Sequence, residues 1–138
     1  MRHLSLLILA AIALLVSSLV PPAGAREHQE LRERVRDGVQ RTDKDLGNLV
    51  HRDKLNEEQR KRFDAAIEDL GKLREAVAGE KWEAERTRLE RAVENIDFLV
   101  KHAPIDDSDR QTLGIDLYTL QVILDSWNPP PRDGSGKI

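Results

Sequence analysis

Apolar residues recur along this chain every three or four positions, and that period sets the class of fold. Phe63, Ala66, Leu70, Leu73 and Val77 are spaced 3, 4, 3 and 4, with Ile67 widening the stripe. Such a row lies on one face of an α-helix and cannot alternate across a strand. The pattern returns with Trp82, Leu89, Ala92, Ile96 and Leu99, flanked by Val93 and Val100, and again with Leu113, Leu117, Leu120, Leu124 and Trp127. A weaker stripe precedes them, carried by Leu31, Val35, Val39, Leu46, Leu49 and Val50 and interrupted by Thr42. Nowhere does a strand pattern compete.

The interruptions fall where helix ends belong. The stripe stops around residues 52–56, Ala78-Gly79 supplies a C-terminal stop, and in Ala103-Pro104 the proline disfavours the α conformation of the residue before it. The spacing therefore predicts helices over about 28–51, 56–78, 80–102 and 106–127. Near-equal lengths and short connections favour antiparallel neighbours. The expected fold is all-α, an up-down-up-down four-helix bundle made of two helical hairpins. Shifted by 50 residues the chain aligns with itself, Phe63 on Leu113, Leu70 on Leu120 and Val77 on Trp127. Any two heptad-like helices align in some register, so a duplication stays open.

The two ends do not belong to this pattern. Arg2 and His3 precede an apolar run from Leu4 to Leu15, continued to Val20; Pro21-Pro22 break it, and Ala23-Gly24-Ala25 has the small-x-small spacing of a signal-peptidase site. Residues 1–25 read as a signal peptide cleaved between Ala25 and Arg26. An uncleaved anchor is the rival reading, but Leu4–Val20 is shorter than the ~20 residues that span a hydrocarbon core. No cysteine is present, which closes both the lipoprotein route and stabilisation by disulfides. The expected product is soluble, periplasmic or secreted, and not held at the membrane. At the other end, residues 128–138, NPPPRDGSGKI, have almost nothing to bury and read as a disordered tail beyond a 26–127 domain.

Without the leader the charge balance shifts slightly: 21 basic side chains face 25 acidic ones in residues 26–138. A nucleic-acid binder needs a clustered basic excess to neutralise phosphates, so that class is excluded.

One short stretch admits two readings. In KLNEEQRKRF, Asn56 suits an N-cap, Gln59 stands three residues on as in a capping box, and Glu57 and Glu58 meet the positive end of the helix dipole. Leu55-Asn56-Glu57-Glu58-Gln59 also resembles the Leu-Thr-x-x-Gln motif carried twice by periplasmic stress chaperones of the Spy/CpxP type, which are exported and all-helical. The resemblance implies a stress chaperone or signalling accessory. Asn56 stands in place of the threonine, and the equivalent second stretch, Ile105-Asp106-Asp107-Ser108-Asp109, has neither threonine nor glutamine.

Motifs for chemistry are missing. There is no Cys-x-x-Cys-His for covalent haem, no Glu-x-x-His pair for a di-iron site, no phosphate-binding glycine loop and no Gly-x-Ser-x-Gly elbow. A non-enzymatic protein with no cofactor is expected. His51 and His102 end the first and third predicted helices, beside Asp53, Asp106 and Asp107, and are the candidate metal ligands of a metal-binding helical protein. The alternative is that they face the carbonyls at helix C-termini. Asp97 and Asp116 read as solvated or paired at the surface. On the fourth helix Ile115, Tyr118 and Val122, spaced 3 and 4, form a second apolar face that Phe98 extends. This face is either packed within the fold or a surface for a protein partner or self-association.

Overall fold

The computed structural model describes residues 23–127; the predicted leader up to Pro22 and the predicted tail, 128–138, lie outside the described residues. Contacts divide the chain into two units, Met1–Glu30 and Leu31–Ile138. In the first, the described residues are helical, and Gly24 to Glu30 are exposed. The core and every contact described below belong to the second.

Among the described residues there are four α-helices and no strand: α1 (Ala23–Gly47), α2 (Glu57–Val77), α3 (Arg86–His102) and α4 (Asp107–Ser126), with 3-10 turns at Arg52–Lys54 and Trp82–Glu85. They form a four-helix bundle. No described helix is long and apolar enough to cross a membrane.

The stripes read from the sequence supply the core. Val35, Val39 and Leu46 of α1, Ala66, Leu70 and Leu73 of α2, Leu89, Ala92, Ile96 and Leu99 of α3, and Leu113 and Leu120 of α4 are sealed from solvent. Thr42 does not interrupt the first stripe. It is buried because its hydroxyl donates to the Gly38 carbonyl at 2.8 Å, which satisfies the one polar group it brings inside.

Three expectations need correction. The first helix stops at Gly47 and not at 51; the Asn48 and Leu49 amides close the last turn onto Lys44, Asp45 and Leu46. Leu49 stays buried, but Val50 is carried off the core face and is 65% exposed. The third α-helix starts at Arg86 and not at 80, because Trp82–Glu85 winds as a 3-10 turn that sets the Trp82 ring against Trp127, with centroids 5.0 Å apart. On α4 it is Ile123 that is fully buried while Leu124 is only partly so.

Helix termini leave carbonyls without intrahelical partners, and here arginines from elsewhere in the chain reach them. Arg32 Nε of α1 donates to the Val77 carbonyl at the end of α2, 2.7 Å. Arg110 of α4 donates to the Val100 and Ala103 carbonyls at the end of α3. Arg86 of α3 donates to the Leu124 and Trp127 carbonyls at the end of α4, at 3.1 and 2.8 Å. Each guanidinium also meets the negative pole of the helix it closes. A buried carboxylate, Asp69, ties α2 to α3 through Arg88 and Arg91 at 3.3 and 3.0 Å.

The Asn56 cap is formed in both directions. The Asn56 side chain accepts from the Gln59 amide at 2.8 Å, and the Gln59 side chain accepts from the Asn56 amide at 3.0 Å. Gln59 Nε2 then donates to the His102 carbonyl at 3.0 Å, joining the start of α2 to the end of α3. Asn56→Ala is expected to cost ~1 kcal/mol in urea denaturation, the usual value of a lost N-cap. A loss of several times that would mean that the whole α2–α3 junction depends on the cap.

Candidate partner-binding groove

A groove of about 310 Å³ runs between α1 and α4, walled by Arg34, Asp37 and Arg41 on one side and Tyr118, Thr119 and Val122 on the other, with Gly38 and Ile123 beneath. Its depth depends on Gly38. A Cβ there would stand 2.8 Å from Ile123 Cδ1 and 3.4 Å from Leu120 Cδ2, so glycine leaves room for these two side chains, which a larger residue would push aside.

The apolar face expected on α4 lies on this groove and is exposed. Tyr118 is 70% exposed, Ile115 57% and Val122 41%. Tyr118 and Val122 line the groove, and Ile115 continues their line one turn toward the start of the helix. Thr119 directs its hydroxyl to the Ile115 carbonyl at 3.0 Å. The structure does not bring Phe98 into this face. Its ring lies under the Arg62 guanidinium at 4.6 Å and against His102 at 4.8 Å, where α2 meets α3.

Apart from the groove residues, α1 and α4 bring together a pair of carboxyl groups, Asp45 and Asp116. Asp116, expected at the surface, is only 2% exposed, and this expectation is corrected. Burial, then the hydrogen bond and negative field of Asp45, push the Asp116 carboxyl up from 3.8 to about 7, while Arg41 pulls it down. The acid therefore carries a proton over most of the range below neutrality. Asp116 Oδ2 has no hydrogen-bond partner among the described residues. Sealed as it is, Asp116 can exchange a proton but is not placed to touch a ligand. Asp97 fits its expected place, half exposed and paired with Lys101 at 2.9 Å.

The two histidines stand apart in their interactions. His51 Nε2 meets Asp106 at 2.9 Å, and the Val50 amide donates to Asp109 at 3.2 Å, so together they fasten the end of the α1–α2 connection to the start of α4. His102 stacks on Phe98. Among the described residues no group of three or more His, Cys, Asp or Glu side chains is placed to hold a metal ion. The predicted processing point, Ala25–Arg26, lies within α1.

The α1 wall and the carboxyl pair were missed from the sequence, though both leave traces. A glycine inside a helical stripe, Gly38 beside Val39, marks a close approach of another element. Asp116 is three residues after Leu113 and four before Leu120, which puts it on the same face as the core leucines.

Compared with protein-family models, with curated proteins and with solved structures, the chain matches none of them.

Proposed function

We propose that this chain is an exported, non-enzymatic helical bundle that acts in the periplasm or outside the cell by binding another protein through the α1–α4 groove. One observation carries the reading: Ile115, Tyr118 and Val122 form an exposed line beside a groove, on a helix whose core contacts are already supplied by Leu113, Leu117, Leu120 and Ile123. An apolar face that the fold does not need for its own closure is a surface for association, and aromatic residues are the favoured anchors of such surfaces. Export rests on the order of charged, apolar and small residues in 1–25.

The up-down-up-down order belongs to the same reading. Its support comes from cross-helix pairs whose order reverses: Arg62 meets Asn95 while the later Asp69 meets the earlier Arg91, and Arg86 at the start of α3 meets the Trp127 carbonyl while Arg110 near the start of α4 meets the Val100 and Ala103 carbonyls.

The test uses material recovered from the exporting cell, whose N-terminus at Arg26 would agree with cleavage. A partner or second copy recovered with the parent is expected to be lost from Tyr118→Ala and Val122→Asp. Both variants should keep their stability within about 0.5 kcal/mol, as exposed positions do. Recovery that does not depend on either residue would retire the surface. Unfolding of Val122→Asp would show that the face is internal, since an unpaired buried carboxylate costs several kcal/mol.

A further inference from the structure

The cationic wall and the apolar wall of the groove match in length. Ile115 to Val122 on α4 and Arg34 to Arg41 on α1 each cover two helical turns, roughly 10 Å at 1.5 Å per residue. Many arginines of the bundle are committed: Arg32, Arg86 and Arg110 to helix-end carbonyls, Arg88 and Arg91 to Asp69, Arg62 to Asn95 and Arg74 to Asp43. Among the described residues neither Arg34 nor Arg41 makes an ion pair or a hydrogen bond; Arg41 acts electrostatically on Asp116. Asp37, the one acid on the rim, is taken by Arg36 Nε at 3.4 Å. In a chain of net charge −3 these two open guanidiniums beside an apolar line are a local reversal of sign.

We infer that the groove receives an amphipathic helix of a partner protein, its apolar ridge lying on Tyr118 and Val122 and acidic residues seven positions apart on its flank meeting Arg34 and Arg41. The inference rests on the proposal that this face binds protein. A compact ligand would need only the cavity, whereas the exposed apolar line runs past it to Ile115 and the two guanidiniums are spread over the same two turns. A helix laid in a groove makes such a footprint, with anchors at i, i+3 or i+4, and i+7. Charge along the rim then selects the partner and its direction more than it adds affinity.

The probe is a pair of synthetic amphipathic helices with the same leucine ridge, one carrying two glutamates seven apart on its flank and the other two lysines. Binding to the purified protein is read by fluorescence anisotropy. The glutamate peptide is expected to bind more tightly by roughly twofold to thirtyfold, the range for two exposed ion pairs. Arg34→Glu should reduce this preference and the Arg34→Glu/Arg41→Glu double variant should reverse it. Arg34→Glu stands apart from the buried carboxyl pair, so it keeps the test valid if the double variant folds poorly.

Equal binding of the two peptides, lost in Tyr118→Ala, would overturn the acidic partner while leaving the protein-binding face in place. Glutamate-peptide binding that survives both Tyr118→Ala and Arg34→Glu would place the peptide elsewhere and remove both proposals. A second copy of the chain that fills the groove in sedimentation and excludes the peptide would replace the inferred partner.

Discussion

Asp116→Asn is expected to be more stable than the parent at pH 8, and the advantage should vanish as the pH falls toward 4. Folded, the Asp116 carboxyl titrates at about 7; unfolded, it returns to 3.8. Between those values the folded state holds a proton that the unfolded state has released, so the slope of stability against pH from this group is negative. Its contribution is complete below about pH 4, is lost as pH rises through about 7, and stays lost above. Three pK units correspond to at most about 4 kcal/mol. Asparagine keeps a donor for Asp45 and cannot ionise, so its curve lacks this loss. Other carboxylates titrate in the same range, and the difference between the two urea-denaturation profiles from pH 4 to 8 isolates Asp116. A difference that does not change with pH would mean that Asp116 is ionised throughout, with Arg41 as its counter-ion. Asp45→Asn should move the Asp116 transition to lower pH, because it removes the neighbouring negative charge.

The second large effect is expected at the other end of α4. Trp127 is completely buried, packs at 52° to the Trp82 ring, and has its carbonyl held by Arg86. Trp127→Ala should cost ~3–5 kcal/mol, because the cavity adds to the lost transfer free energy, and the tilted ring pair adds about 1 kcal/mol beyond area. A domain of this size has only ~5–15 kcal/mol in total, so the variant should be partly unfolded at elevated temperature. Trp127→Phe separates packing from polarity. The indole Nε1 has no partner among the described residues, so phenylalanine keeps an aromatic contact and removes a buried donor left unsatisfied. It should cost much less than alanine. A Trp127→Ala loss below about 1 kcal/mol would mean that the 3-10 turn and its tryptophan are not part of the cooperative core.

The two corrections that bear most on function come from opposite directions. Asp116 reads as a surface residue because it lies off the main stripe of Leu113, Leu117 and Leu120, yet it stands three residues after Leu113 and four before Leu120 and is buried; the edge of a stripe is still core when a second acid can share the proton. The groove could not be assigned from α4 alone, because half of it is supplied by Arg34, Gly38 and Arg41, which on α1 read as an ordinary polar face broken by a glycine. Capping was the most legible feature. Asn56 and Gln59 interact within one turn, so their arrangement follows from local geometry, and the same bonds account for the stretch that resembles the chaperone motif.

The sequence by itself determined the all-helical class, the number of helices, most of the core and the cap of α2, since each of these depends on neighbours within about a turn of helix. Which ends an arginine from another helix closes, where α1 stops relative to its stripe, that Trp82 bends the chain into a tighter turn to reach Trp127, and that Asp45 and Asp116 face one another were decided only by the tertiary structure. Arg86 meets the Trp127 carbonyl across 41 positions, Arg32 meets that of Val77 across 45, and the two aspartates are farther apart still. Helical periodicity states which face a residue occupies, but not which face of another helix comes to lie against it.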